Sequence, residues 1–280
     1  MELKHFIKDS NLKVRAMNSE ELLSYYDKGQ CWPQAISKTQ GYDTNAAYRD
    51  SLAVRDLRIA RGEIPSGYKI GFTNRSIWTR YNVFAPIWGT VWSSTQIVCS
   101  GFQNLSLVGI CQPRIEPEIV FGFKKTPVMD ASIEDIYKSL EWVAPGFEIV
   151  QSHMPDWKFE AADSIADGGL HGRLIVGEKY AVSSISNSAN ELHELFAKAT
   201  AVLFRDGDQV EVGVGANVLE SPLRALEHFL KELRSCPGST DVQPGDVVTT
   251  GTWTDAYPVQ PRESWSVSFT LPRASLTVNF

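Results

Sequence analysis

Two glutamates, Glu116 and Glu118, flank Pro117 in RIEPEIVFGF, just ahead of an apolar run. On a strand, residues i and i+2 share a face, so both carboxylates point one way, with Cα atoms roughly 7 Å apart. Like charges aimed at one place repel unless a cation or a shared proton lies between them. Taken alone, the pattern favours a solvent-facing pair on an edge strand, and Pro117 fits an edge because it cannot donate to a ladder. A third acid shifts the balance. Glu148 lies between Phe147 and Ile149 in the apolar stretch GFEIVQS, where a charge is costly unless paired or bound to a cation. Three carboxylates without neighbouring His or Cys make an all-oxygen donor set. Such a set suits Mg²⁺ or Mn²⁺, with Ca²⁺ a further candidate, and not zinc. Lys69, hemmed by Tyr68 and Ile70 in GYKIGF, reads first as a lysine snorkelling out of its strand. The functional alternative is a base, or a cation facing an anion.

These residues need strands to hold them. SGYKIGFTN, RIEPEIVFGF, GFEIVQS, GRLIVGEKYA, GDVVTTGTW and the C-terminal WSVSFTLPRASLTVNF all read as strands, and APIWGTVWSSTQIVCS as loop plus strand. AVLFRDGDQVEVGVG reads as a hairpin turning at Asp206-Gly207. Helices are expected over MNSEELLSYYDKG, with Asn18 or Ser19 as cap, and over DTNAAYRDSLAVRDLRIARGE. A third covers VMDASIEDIYKSLEWVA, capped near Asp130 or Ser132, and a fourth SPLRALEHFLKELRS, with Ser221 as cap and Pro222 at its first position. NSANELHELFAKAT fits helix or loop. A helical N-terminal segment, residues 1–65, and a β-rich body, 66–280, are therefore expected, a mixed α+β architecture without regular βαβ alternation.

Whole-chain composition narrows the function. The 280 residues are 43% apolar and 21% charged, enough for a sizeable core without disulfides. A net charge of −6 leaves no basic footprint for nucleic acid. The opening stretch, MELKHFIKDSNLKVR, has no apolar signal-peptide core, and no run reaches the length of a membrane span. A cytoplasmic protein is expected. The four cysteines, Cys31, Cys99, Cys111 and Cys236, are distant in sequence and form no CxxC pair. That argues against zinc and a disulfide framework and for reduced thiols without a catalytic role. GVGA at 213–216 is not followed by the rest of a dinucleotide-binding fingerprint.

Five stretches in order, SGYKIGFT (66–73), PRIEPEIVF (113–121), FEIVQSHMPDWKFEAADSIADGG (147–169), GVGANVLESPLRAL (213–226) and PGDVVTTGTW (244–253), together resemble the fumarylacetoacetate hydrolase superfamily. The likeness is to its branch of 2-oxopent-4-enoate hydratases and 4-oxalocrotonate decarboxylases. The resemblance implies a mixed β-roll with peripheral helices, and dimers or rings of dimers. It implies Mg²⁺, with Mn²⁺ as substitute, held by Glu116, Glu118 and Glu148. It also places Lys69 at the family's active-site lysine and Thr252 where the substrate carboxylate is gripped. The implied reaction is water addition to a 2-hydroxydienoate through a metal-stabilised enolate. Loss of CO₂ from a vinylogous 2-oxo diacid ranks second, acylpyruvate C–C hydrolysis third, and an inactive metal-binding homologue last.

The sequence also departs from the branch. ADGGLHG (166–172) stands where ADNAS is usual, and Ser93 and Ser94 replace an acidic pair. His171 reads equally as a replacement proton carrier or as a surface histidine in a Gly-rich loop. Asp167, before the Gly168-Gly169 turn, is placed nearest the site, ahead of Asp163 and Lys158. His153 stands where relatives often have arginine. Trp78, Trp88 and Trp92 read as core, with a pocket wall as the weaker alternative.

Overall fold

The computed structural model describes residues 17–81 and 83–280; the polar opening stretch 1–15 lies outside them. Its organising element is the strand Arg114–Phe123. This strand pairs antiparallel with Leu140–Val150, and the register sets Glu116 opposite Glu148 and Glu118 opposite Gly146. On its other flank it meets Val247–Thr249, which runs parallel to Pro65–Gly71 and sets Thr249 beside Lys69. The sheet's main path runs Ile87–Trp92, Pro65–Gly71, Val247–Thr249, Arg114–Phe123, Leu140–Val150, His171–Val176, Gln96–Val98. A second sheet runs Asp208–Val214, Thr200–Arg205, Ser264–Phe269, Ala274–Asn279, Phe102–Asn104. The first two strands of that path form the hairpin expected at Asp206-Gly207.

Alternation explains how acids enter such a sheet. Phe147 and Ile149 point into the main core with Ile119 and Phe121, so Glu148 between them must face the other way. The helix Pro222–Ser235, capped by the Ser221 hydroxyl with Pro222 at its first position, lays Leu226, Phe229 and Leu233 into the same core. NSANELHELFAKAT resolves as a helix, Ala189–Lys198, capped by Ser188. The N-terminal helices Ser19–Lys28 and Thr44–Ala60 are capped by Asn18 and Asp43. Leu22, Trp32, Ile36 and Ala47 pack there against Val150, Met154, Ile165 and Leu170 of the body. No helix among the described residues is long and apolar enough to cross a membrane.

Two expectations need correction. The helix predicted over 128–144 is only Ile133–Ser139, capped by Ser132, and Leu140 already belongs to the glutamate-bearing strand. Leu140 pairs with Phe123, so sheet pairing overrides a stretch whose local pattern tolerates helix. The strand carrying Pro117 is also internal, not an edge. A residue's N–H and C=O point to the same flank of a strand, and the Pro117 carbonyl accepts from Trp253 N–H at 3.1 Å. The missing donor thus faces a gap in the ladder, between the pairings made by Val247–Thr249 and by Tyr257–Pro258.

Candidate metal centre

The register sets the three glutamates on one face, where one ligand atom from each lies within 4.8 Å of the others. Glu118 and Glu148 are fully buried, and Glu116 is half-buried at the edge of a cleft. Glu118 Oε2 accepts from the Thr249 hydroxyl and, at 2.7 Å, from Gly251 N–H. Gly251 has φ +100°, and a Cβ there would lie 2.0 Å from Thr73 Oγ1, so only glycine brings that amide to the carboxylate. Glu118 Oε1 is buried and meets no donor among the described residues. Glu148 is held from two sides: Lys69 Nζ lies 3.2 Å from Oε2 and His171 Nδ1 2.8 Å from Oε1.

Charge does not balance here. Three carboxylates surround one buried ammonium, and the Arg114 guanidinium acts on Glu116 from the cleft side without closing the deficit. Burial pushes the Glu116 carboxyl up to about 7, Glu148 adds to the rise, and Lys69 opposes it. Burial, then Glu148 and Glu116, raise Glu118 well above the usual carboxylate range. Burial alone would lower the Lys69 ammonium, but Glu148, Glu116 and Glu118 outweigh it and hold the proton on. Excess buried negative charge, hard oxygen donors and an orphaned carboxylate oxygen are the conditions a small divalent cation relieves. The donor set therefore fits Mg²⁺ or Mn²⁺.

A cleft of about 290 Å³ opens over this cluster, its walls including Lys69, Glu116, Arg114, Thr252, Trp157 and Phe159. The Thr252 hydroxyl donates to the Thr254 carbonyl at 2.9 Å, which fixes its orientation at the rim. The Gly168-Gly169 turn closes the wall beside the lysine. A Cβ at Gly89 would lie 2.0 Å from the Gly168 carbonyl oxygen, and one at Gly169 would lie 3.1 Å from Lys69 Cδ. Gly89 thus lets the turn settle on its strand, and Gly169, at φ +70°, lets it settle on the lysine side chain.

Among curated proteins, the chain is 30% identical to the 2-hydroxyhexa-2,4-dienoate hydratase of Comamonas testosteroni over 213 residues, covering 76% of this chain and 77% of that one. It is likewise 30% identical to a 4-oxalocrotonate decarboxylase of a Pseudomonas species, covering 78% and 82%. The solved 4-oxalocrotonate decarboxylase from Pseudomonas putida G7, complexed with magnesium and adipate, superposes with a TM-score of 0.82 at 21% identity. That match covers 95% of this chain and all of the other. A fumarylpyruvate hydrolase from Pseudomonas aeruginosa shares the fold at a TM-score of 0.53 and 14% identity, over 77% of this chain and 89% of the other. The chain belongs to the fumarylacetoacetate hydrolase superfamily, in its hydratase and decarboxylase branch. No protein-family model matches the sequence.

Within that superfamily framework, the remaining site candidates separate. His171 is no surface residue: it is 4% exposed at the start of its strand and bridges Glu148 to Thr95, whose hydroxyl lies 2.8 Å from Nε2. Burial lowers the His171 pKa against the pull of Glu148. The Thr95 hydroxyl also reaches the Trp92 carbonyl at 3.0 Å. In the neutral ring with Nδ1–H on Glu148 it donates to the bare Nε2; in the protonated ring it turns to that carbonyl and accepts from Nε2–H, so Nδ1–H stays on Glu148 in both charge states. Asp167 is not brought to the glutamates. Its carboxylate takes His153 Nδ1 at 2.5 Å and His153 N–H at 2.9 Å. Asp163 ties down Ser37 and the Glu160 amide, and Lys158 is exposed beside Asp156. Ser93 and Ser94 are exposed outside the cleft lining.

None of the three tryptophans lines the glutamate cleft, and Trp92 lines a separate cavity with Asp167 and His171. Trp88 stacks on Tyr48 in the core, Trp92 faces Arg58, and Trp78 donates to the Phe72 carbonyl. The cleft's aromatic wall is Phe72, Trp157 and Phe159 instead, with the Arg114 guanidinium 4.3 Å over the Trp157 ring. Sequence reasoning missed that wall, together with Thr249, Gly251 and Thr95. PDWKF carried the only signal for the wall, an aromatic pair directly after the glutamate strand.

Proposed function

We propose that this chain is a Mg²⁺-dependent hydratase that adds water to a 2-hydroxydienoate or 2-oxo-enoic acid, with Glu116, Glu118 and Glu148 as metal ligands. The observation that carries this reading is the buried three-carboxylate cluster around one ammonium, with an orphaned Glu118 oxygen facing it. When bound, the ion supplies Lewis acidity to the keto and carboxylate oxygens of a 2-oxo acid. Lys69, kept protonated by the glutamates, presents positive charge to the oxygen that gains negative charge and holds a proton ready for transfer. Thr252 orients the substrate carboxylate at the rim by turning its hydroxyl proton from the Thr254 carbonyl to the substrate. Phe72, Trp157 and Phe159 shield the carbon chain from water. His171 acts through Glu148 by fixing its carboxylate, and Asp167 acts at one remove by fixing His153.

Arg114 favours a second reading. Its guanidinium lines the cleft and could meet the far carboxylate of a vinylogous 2-oxo diacid, whose reaction would be loss of CO₂. Homo-oligomeric assembly, as a dimer or ring of dimers, belongs to the same proposal, and light scattering reads it.

The test is calorimetric titration of oxalate, a mimic of the pyruvate enolate, into chelator-stripped protein with and without Mg²⁺. Binding only with Mg²⁺, and its loss in Glu118→Gln, is the expected result. Mg²⁺-independent binding or none would overturn the site. Turnover assays with a 2-hydroxydienoate and a 2-oxo diacid then separate water addition from CO₂ release. Lys69→Met should keep ion binding and lose turnover.

A further inference from the structure

Cys31 and Cys111, distant in sequence, bring their sulfurs to 3.7 Å. The approach is built into the backbone. Gly29, in the left-handed conformation that ends the first helix, sits so close to Gly109 that a Cβ would lie 3.0 Å from its carbonyl carbon. Two residues further along each segment stand the thiols. The same neighbourhood is pinned by Trp32 N–H donating to the His153 carbonyl at 2.6 Å and Ser152 N–H donating to the Cys111 carbonyl at 3.1 Å. Cys31 is exposed and Cys111 is 4% exposed.

We propose that Cys31 and Cys111 form a reversible modification site, closing to a disulfide when the protein meets a peroxide. The sulfurs must approach to about 2.05 Å, which side-chain rotation supplies where backbones already run side by side. The exposed Cys31 sulfur attacks one peroxide oxygen, giving a sulfenic acid and one water. The Cys111 sulfur then attacks Cys31 sulfur, the S–S bond forms, and the hydroxyl leaves as a second water. Two thiols are oxidised and one peroxide is reduced. Burial pushes the Cys111 thiol up to about 12, which makes it a poor first nucleophile and leaves the opening step to Cys31.

The link would act on the cleft through the next residue. Gln112 Nε2 donates to the Ser152 and Met154 carbonyls, both at 2.7 Å, and its own carbonyl accepts Trp157 Nε1–H at 2.9 Å. Cys111 is thus the neighbour of the residue that seats the aromatic wall.

The experiment treats the folded, full-length protein with hydrogen peroxide and follows thiol titre, intact mass and a non-reducing peptide map. Loss of two of the four thiols, a mass lower by two hydrogens, and a peptide joining Cys31 to Cys111 that dithiothreitol releases are expected. Cys31→Ser should give no linked peptide, while a Cys99→Ser, Cys236→Ser double variant should still form the link. Sulfinic or sulfonic acid at Cys31 without linkage, linkage to Cys99 or Cys236, or equal linkage in urea-unfolded protein would each overturn the assignment.

Discussion

Two histidine–carboxylate pairs lie among the described residues, and both use Nδ1: His171 on Glu148 at 2.8 Å and His153 on Asp167 at 2.5 Å. Their surroundings differ. The first faces two more glutamates and a lysine, and its far nitrogen is held by Thr95. The second is stacked on Trp32, its backbone N–H goes to the same carboxylate, and its Nε2 meets no partner among the described residues. One pair sits among excess carboxylates, the other beside aromatic rings and a cavity that Arg55 and Arg58 line. The same two side-chain types thus serve a metal ligand in one place and a chain connection in the other, and the neighbours decide which.

The comparison breaks first at Glu118. Glu118→Gln should abolish divalent-cation binding and turnover together, an effect larger than the ~10–100-fold that loss of a supporting group costs. Calorimetry with Mg²⁺ and a turnover assay check both. The charge imbalance also makes a pH prediction. Glu116 holds its proton up to about 7, against a usual 4.5. In metal-free protein its contribution to stability is present below 4.5 and lost as pH rises through about 7. Mg²⁺ must displace that proton, so affinity should fall about tenfold per pH unit below 7 for each proton released. Chelator-treated protein should therefore unfold more readily at high pH, and Mg²⁺ should restore most there. A flat response in urea melts from pH 5 to 8 would mean the cluster carries no such strain.

His171→Ala should weaken Mg²⁺ binding by ~10–100-fold by releasing Glu148, with cleft shape preserved. Asp167→Asn sharpens the contrast from the other side. It should leave Mg²⁺ affinity unchanged and cost stability of about 1–3 kcal/mol, the scale of a disrupted buried hydrogen bond. Equal loss of metal affinity in both variants would erase the distinction between the pairs.

Much of this was legible in the residues. The strand RIEPEIVFGF was read to its ends, because period-two alternation and Pro/Gly punctuation are local signals. The caps at Asn18, Ser132 and Ser221 were legible for the same reason. The glutamates could be paired only as three costly charges, since the Glu116–Glu148 register is a property of the sheet. His171 could not be assigned, because a Gly-rich sequence looks the same on a surface loop as at the buried start of a strand. Leu140 reads as helix in sequence because only its partner Phe123, not its neighbours, makes it strand. Trp157 carries no local mark that sets it apart, whereas Trp78, Trp88 and Trp92 lie closer to the lysine in sequence yet pack elsewhere.

The strand Val247–Thr249, threaded between the lysine strand and the glutamate strand, has a consequence in time. Its residues are made long after the two it separates, and Gly251, just beyond it, supplies the amide that holds Glu118. On the ribosome the lysine and all three glutamates emerge well before the piece that joins them, so the site stays unassembled while most of the chain is synthesised. Such distant pairing is slow to form. Until then Glu118 lacks its Thr249 and Gly251 donors, and a chain ending before Val247 should be made but never become active.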